Sequence, residues 1–337
     1  MADTVTIEDI ARRSGVSTAT VSRALRGLPN VSPATRDRVQ RVAAELNYSL
    51  DSRASRLASG RSMTVGVAVP MAGQWFFNQL STAIEALMFL NNYDVVRYVL
   101  VGPHEQTLLF HQLATSKRVD GLIICTVALT DEDVQLLQDL QLPVVTIEKE
   151  TPHFPSVTCD NTAAAEVAVR HLIELGHQDI GLITGLFQDP MGFTIPQERT
   201  DGYLKALAEY NIPFQERLRI EGNFSAAGGA EAMAKLLALD SPPTAVFTLS
   251  DEMAIGAMKT IRDAGLRIPQ DISIIGFDDF YLSEYLGLTT IRQSVSQYGE
   301  TAGAILLELM ENPDSPHVKS IELPTQLIIR DTTGPRP

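Results

Sequence analysis

The chain holds two cysteines and one tryptophan in 337 residues, and its first 62 residues contain no lysine. Two cysteines cannot build the disulfide framework of a small secreted fold. Cys125 lies in the apolar run GLIICTV, where a buried, inert thiol in a reducing compartment is expected. No apolar run approaches the ~18 residues that would argue a membrane span. The first residues, MADTVTIEDI, are acidic and lack the apolar stretch of a signal peptide. A cytoplasmic protein with no membrane partner is therefore expected. Catalytic signatures are missing too: no G-x-G-x-x-G follows a strand, and there is neither a G-x-x-x-x-G-K-[ST] nor a G-x-S-x-G. The six histidines show no H-E-x-x-H spacing. His171 and His177 flank a helix end, where solvated or capping roles are expected instead of metal ligation. Adjacent side chains at a strand end point apart, so Asp278 and Asp279 make a poor acid/base pair. No catalytic residue, metal or cofactor is expected.

What is present is a charge asymmetry. The formal net charge is -14. Residues 1–62 carry ten arginines and six acids, a net +4, whereas residues 63–337 carry -18. A small basic head on a large acidic body suits a head that meets a phosphate backbone and a body that limits indiscriminate sticking.

Three helices are predicted in the head. Thr6 with Asp9 three residues on makes a capping-box-like start, followed by an apolar face of Ile7, Ile10 and Ala11. Gly15 breaks the first helix. Ser17 can cap the second, in which Ala24 and either Val21 or Leu25 face inward. Gly27, Pro29 and Asn30 end it. Ser32 and Pro33 open the third helix, with Val39, Val42, Ala43 and Leu46 inward. Three helices with a glycine-containing turn between the first two match a helix-turn-helix, although a generic helical bundle shares that pattern. The polar face of helix two favours DNA. Thr18, Thr20, Ser22, Arg23 and Arg26 offer hydroxyls and guanidinium groups to base edges and phosphates, and Ala19 suits a thymine methyl. The segment LNYSLDSRASRLASGRS, residues 46–62, is a basic linker. About eight of its residues have helical pattern, too few to hold a helix in isolation, so it is expected to order on docking.

The body alternates short apolar strands with amphipathic helices, a rhythm that predicts parallel sheets with crossover helices. Strands are predicted at Val65–Val69, Val95–Val99, Gly121–Cys125, Val144–Ile147, Ile180–Thr184, Arg217–Glu221, Ala245–Leu249 and Ile272–Gly276. The pattern occurs twice, over about 110 residues each. Two such halves are expected to bind a ligand in the cleft outside the carboxyl ends of their strands.

Several stretches of the head, TIEDIARRSGVSTATVSRAL, NVSPATRDRVQRVAAELNY and the linker, closely resemble the LacI/GalR family of bacterial transcription regulators. So do KRVDGLII, VTCDNTAAAEVAVRHLIELGHQDIGLITG, ERTDGY, AVFTLSDEMAIGAM, PQDISIIGFDD and LTTIRQ in the body. The final strand in ELPTQLIIRDTTG also fits. The resemblance spans about residues 5–333. It implies a small all-α helix-turn-helix head on an α/β periplasmic-binding-protein-like core of two doubly wound parallel-sheet subdomains. The implied boundaries are 1–48 for the DNA-binding domain, 49–62 for the hinge and 63–337 for the core. Within the core, one subdomain covers about 63–160 plus 293–320, the other about 161–292 plus 321–334. Arg23 is the implied base-contacting residue, Thr18 and Ala19 the specificity pair, and Leu57 a wedge in the minor groove. Thr6, Ser17, Asn30, Tyr48 and Arg53 complete the expected DNA-facing set. The family often has Pro-Asn where Leu50 and Asp51 stand here.

For the core, the resemblance implies effector contacts at Asp160, Arg199, Ser250, Asp251 and Asp278. Ser250 stands where Asn or Asp is common. Arg199 can alternatively serve an ion pair, and Asp160 and Asp279 can be helix caps. In GQWFFNQL, Trp75 can stack on a sugar face while Phe76 and Phe77 line the cleft. The plainer alternative puts one phenylalanine in the core and one at a dimer interface. Phe193 is a further candidate. The resulting expectation is a homodimeric repressor that binds a near-palindromic double-stranded DNA operator. A mono- or oligosaccharide effector would control it. The alternatives are control by a purine-type co-repressor or a phosphocarrier protein, a solute-binding protein without a DNA role, or an α/β sugar- or nucleotide-modifying enzyme.

Overall fold

A computed structural model describes residues 5–25, 29–46, 48, 61–70, 73–116, 118–186, 191–312 and 320–337. The chain divides into two units, residues 1–62 and 63–337. Arg26, Arg53 and Leu57, three of the expected DNA contacts, lie outside the described residues, as does nearly all of the hinge.

The head has three helices, α1 (Ile7–Ser14), α2 (Thr18–Leu25) and α3 (Pro33–Glu45). Each start is explained locally. The Asp9 carboxylate accepts hydrogen bonds from Thr6 N (3.0 Å) and Thr6 Oγ1 (2.9 Å). Ser17 Oγ accepts from Thr20 N at 3.2 Å, and Ser32 Oγ from Thr35 N at 3.2 Å, ahead of Pro33. Gly15, at φ 68°, ends α1 in the left-handed conformation and turns the chain into α2. The core is small: Ile10, Ala11, Val21, Ala24, Val39, Val42 and Ala43, rimmed by Leu25, Leu46 and Tyr48 among others. Val21, not Leu25, is the fully buried partner of Ala24.

The larger unit contains two six-stranded sheets. The first half supplies β1 (Thr64–Val69), β2 (Asp94–Val99), β3 (Gly121–Cys125), β4 (Val144–Ile147) and β5 (Ser156–Thr158). The second half supplies β6 (Ile180–Thr184), β7 (Arg219–Glu221), β8 (Ala245–Thr248), β9 (Ser273–Asp278) and β10 (Thr289–Gln293). Short edge strands follow: β11 (Ile321–Glu322) and β12 (Thr325–Ile328). The orders are β11-β5-β4-β3-β1-β2 and β12-β10-β9-β8-β6-β7, so the halves repeat one topology. Strands β1, β3 and β4 are buried along their whole length, which is why they read as unbroken apolar runs; β2, on an edge, is exposed at Asp94, Val96 and Arg97.

The crossover helices are α4 (Trp75–Leu90), α5 (Pro103–Thr115), α6 (Asp131–Asp139), α7 (Asn161–Glu174), α8 (Ile195–Glu209), α9 (Ala226–Leu237) and α10 (Asp251–Asp263). A last helix, α11 (Val295–Glu311), returns from the second sheet to pack on α4 and the first sheet. β11 pairs in parallel with β5, so the first sheet reclaims Ile321 and Glu322, beyond the expected division at 320. β12 is antiparallel to β10, so the second sheet is not wholly parallel. Strands β5, β10 and β11 have no counterpart among the predicted strands; in β5 and β11 two or three residues are too few to form a pattern, and β10 mixes threonines with Arg292 and Gln293. Cys125 and Cys159 are buried, and burial raises both thiols above their usual range. His177 is fully buried, not solvated: its ring nitrogens bond Thr244 Oγ1 (2.9 Å) and the Gly334 carbonyl (3.0 Å).

Candidate functional site

The head presents one polar helix face. On α2, Thr18, Ala19 and Arg23 are exposed, and Arg23 pairs with no acid among the described residues. Thr20 and Ser22 are half-buried. The hydroxyls of Ser17 and Thr20 are 2.9 Å apart and belong to the cap of α2. Thr6 serves as the cap of α1. Asn30 is exposed at φ 68°, in the turn before α3. Tyr48 packs against the head core, its N–H donating to Ala43 O at 2.8 Å. Exposed arginine beside small hydroxyl and methyl side chains can enter a major groove without clash.

In the larger unit, the carboxyl ends of the two sheets face a narrow cavity of about 40 Å³, at the place where ligands bind in such folds. Nearly all of its lining residues follow the end of a strand. Gln74, Phe76 and Phe77 come after β1, Thr126 after β3 and Glu148 after β4. Phe193, Ile195 and Arg199 come after β6, Phe224 after β7, and Ser250 and Glu252 after β8. Asp278 and Gln293 are the last residues of β9 and β10. In each half the strand order reverses direction beside the central strand, which opens a crevice at that edge. Thr126, Glu148, Phe224 and Asp278 have positive φ, of 60°, 55°, 49° and 121°. Such conformations are costly for residues with side chains, and they concentrate here, where the chain turns sharply out of its strands.

A hydrogen-bonded chain crosses the floor. Glu148, from the first half, accepts from Cys159 N at 3.0 Å and from Asn161 Nδ2 at 2.6 Å. Asn161 Oδ1 accepts from Arg199 Nε at 2.9 Å, and Arg199 Nη1 donates to Leu249 O at 2.6 Å. The guanidinium carbon lies 3.5 Å from the Phe277 ring centroid, and Nη1 is 3.8 Å from Asp278 Oδ1. Nη2 is left with no acceptor among the described residues. Asp278 accepts from Gln293 Nε2 at 2.5 Å, while the buried Gln293 Oε1 has no partner among the described residues. Burial pushes Asp278 up to about 7 against the opposing pull of Arg199 and Gln293. Burial also raises Glu148 and Glu252. Phe193 and Phe224 pack at 5.7 Å between centroids, and Phe76 and Phe77 meet edge-on at 5.3 Å.

The cavity thus gathers Phe76, Phe77, Phe193, Arg199, Ser250 and Asp278 from the expected effector set. It leaves out three. Trp75 is absent from the lining; its ring stacks edge-on against Phe280 at 5.2 Å, and its backbone N–H donates to Glu252 Oε2 at 3.3 Å. Asp160 is exposed and caps α7 by accepting from Ala163 N at 2.8 Å, the alternative raised for it above. Asp251 is fully buried under the site. Its carboxylate takes Thr290 Oγ1 (2.6 Å), Ser283 Oγ (2.6 Å) and Phe280 N (2.8 Å), which makes it an internal strut of the second half. Asp279 is no helix cap; Arg292 and Arg330 clamp it at 2.6 and 2.7 Å. Gln74, Thr126, Glu148, Ile195, Phe224, Glu252 and Gln293 were missed. Only their place after predicted strands could have marked them, and for Gln293 the strand itself was not recognised. Among the described residues no group of three or more metal-binding side chains gathers, and no helix is long and apolar enough to cross a membrane.

Comparison with known proteins places both parts. Residues 6–50 match the model described as "Bacterial regulatory proteins, lacI family", and residues 169–333 match the "Periplasmic binding protein-like domain". Catabolite control protein A of Priestia megaterium is 34% identical over 98% of this chain and 99% of its own. The structure of the lac repressor dimer, bound to operator and an anti-inducer, superposes with a TM-score of 0.84. It is 31% identical and covers 98% of this chain and 99% of its own. A LacI family regulator of Enterococcus faecium, solved with bound ribose, gives a TM-score of 0.72 at 31% identity over 81% of this chain and 99% of its own. With the exposed face of α2 on one unit and the strand-end cavity in the other, the chain belongs to the lacI family of bacterial regulatory proteins, as a DNA-binding transcriptional repressor.

Proposed function

We propose that this repressor works in the cytoplasm as a homodimer on a near-palindromic operator and responds to a sugar bound in the strand-end cavity. The carrying observation is the polar line Asn161–Arg199–Asp278–Gln293 beneath a wall of phenylalanines. Among the described residues Gln293 Oε1 is a buried acceptor without a partner, and Arg199 beside it donates through Nε and Nη1 only; both suit hydroxyl groups, which donate and accept. The Ser250 hydroxyl accepts from Met253 N and keeps its own proton to donate. Phenylalanine faces suit the apolar side of a sugar ring. The Enterococcus faecium relative solved with ribose supports the same class of ligand.

Homodimerisation is supported by exposed apolar side chains on neighbouring elements: Phe89 and Leu90 at the end of α4 are 80% and 78% exposed, and Val96 lies on edge strand β2. Two heads then read two half-sites, with Thr18, Ala19 and Arg23 at the bases and the Leu57 segment at the minor groove. Effector control is supported by contacts between the two halves of the larger unit. Trp75 N to Glu252, Asn161 to Glu148, and Ala128 N to Met191 O (3.1 Å) all join the first half to the second. A ligand that favours one spacing of the halves changes these contacts and shifts the dimer between DNA-binding and releasing states.

The test uses a DNA-selection experiment to obtain the operator, followed by binding titrations. Arg23→Ala should abolish preference for operator over scrambled DNA while leaving effector binding intact. Arg199→Ala should erase the thermal shift caused by the effector. Equal affinity of the parent protein for operator and scrambled DNA would sink the operator reading. An effector shift retained in Arg199→Ala would move the site elsewhere.

A further inference from the structure

The first turn of a helix presents unpaired N–H groups and a positive dipole end, a ready site for an anion. Helix α4 starts at the cavity, and Gln74, Phe76 and Phe77 from that start line it. Here the position is already taken. Glu252, from the opposite half, has Oε2 within 3.3 Å of Trp75 N in that first turn. Glu252 also stands, with Asp251, in the first turn of α10, the second helix whose start borders the cavity. A third helix, α8, starts there with Ile195 in the lining and carries Glu198 in its first turn, so all three helix starts at the site are supplied with a carboxylate by the protein itself.

The remaining charges point the same way. Three carboxylates line the cavity, Glu148, Glu252 and Asp278. Arg199 is the only cation among the described lining residues, and Asn161, the Leu249 carbonyl and the nearby Asp278 already engage it. A phosphate or carboxylate entering this cavity would lose its water, find Arg199 already engaged, and bring a negative charge close to three carboxyl groups, two of them buried. A hydroxylated ligand without charge meets none of these costs.

Resting on the effector reading above, we infer that Glu252 is a specificity-determining residue: a built-in anion at the start of α4 that restricts the site to uncharged, hydroxyl-rich ligands and excludes phosphorylated or carboxylated ones.

The test compares the full-length protein with Glu252→Gln, which keeps the shape and an acceptor for Trp75 N but removes the charge. Both are titrated with D-ribose, D-ribose 5-phosphate and inorganic phosphate at constant ionic strength, by calorimetry and thermal shift. The parent should bind ribose and neither anion. Glu252→Gln should bind both anions at least about tenfold more tightly than the parent does, a change of ~1.4 kcal/mol. Parent protein that binds ribose 5-phosphate as tightly as ribose would overturn the inference. So would a Glu252→Gln variant whose affinity for inorganic phosphate stays at the parental level. Failure of ribose alone counts against the sugar reading; the phosphate titration still decides the role of Glu252.

Discussion

At the residue scale, Asp278 shows how burial and function oppose each other. Its carboxyl sits beside Arg199 and Gln293, yet burial outweighs both and holds it at about 7, well above an ordinary aspartate. The sign of the consequence follows from proton counting. The folded protein holds this proton at pH values where the unfolded chain has released it, so stability falls as pH rises from about 4 to about 7 and is level beyond. In Asp278→Asn that contribution is absent. The melting temperature of the variant minus that of the parent should therefore grow by several degrees between pH 4 and pH 7.5, measured by scanning calorimetry without ligand. A difference that stays constant with pH would show the group ionised throughout. Asp278 and Arg199 were recognisable because GFDD and ERTDGY are distinctive strings. Asp251 was equally conspicuous in TLSDE, yet it turned out to brace Thr290, Ser283 and Phe280 from beneath. The two aspartates differ only in where their backbones point the carboxylate, and a string of letters does not hold that. Glu148 and Gln293 are plain polar residues in unremarked positions, visible only once the strand ends converge.

At the scale of elements, the strand–helix alternation was legible because interior strands β1, β3 and β4 are continuous apolar runs. Short edges such as β5 and β11 borrow their definition from neighbours already in place. Helix packing in the second half depends on close approach that composition does not announce. Gly202 in α8 lies against α7 so tightly that a Cβ there would meet Thr162 O at 2.2 Å and Glu166 N at 2.9 Å. Both are backbone atoms, which cannot rotate aside. Gly202→Ala should cost about 3 kcal/mol by overpacking, a drop of roughly 5 °C in melting temperature. Because Asn161 and Arg199 sit on these two helices, the same variant should also weaken the effector. An unchanged melting curve would mean that α7 and α8 separate freely. In the linker, Leu57→Ala should weaken operator binding by at least about tenfold if the side chain wedges into a base step, with non-specific binding unaffected. Unchanged operator affinity would remove that assignment.

At the scale of the whole molecule, the acidic body and basic head reconcile two demands that one charge sign could not meet. A body at -18 repels a phosphate backbone, so affinity for DNA rests on the head at +4. Control then becomes a question of linkage between the cavity and the reading helices. If ligand and operator act through one two-state equilibrium, the factor by which the ligand changes operator affinity must equal the factor by which operator changes ligand affinity. That factor should fall in the range of about 5 to 150. Its measurement needs ligand titrations of the free protein and of the protein saturated with operator duplex, beside operator titrations with and without saturating ligand, all in one buffer. A factor well away from 1 and equal in the two directions would show that the ligand site and the operator site are coupled. An operator affinity that responds to ligand while ligand affinity ignores operator would violate the cycle, and would mean that the ligand acts from a different site or on a different species.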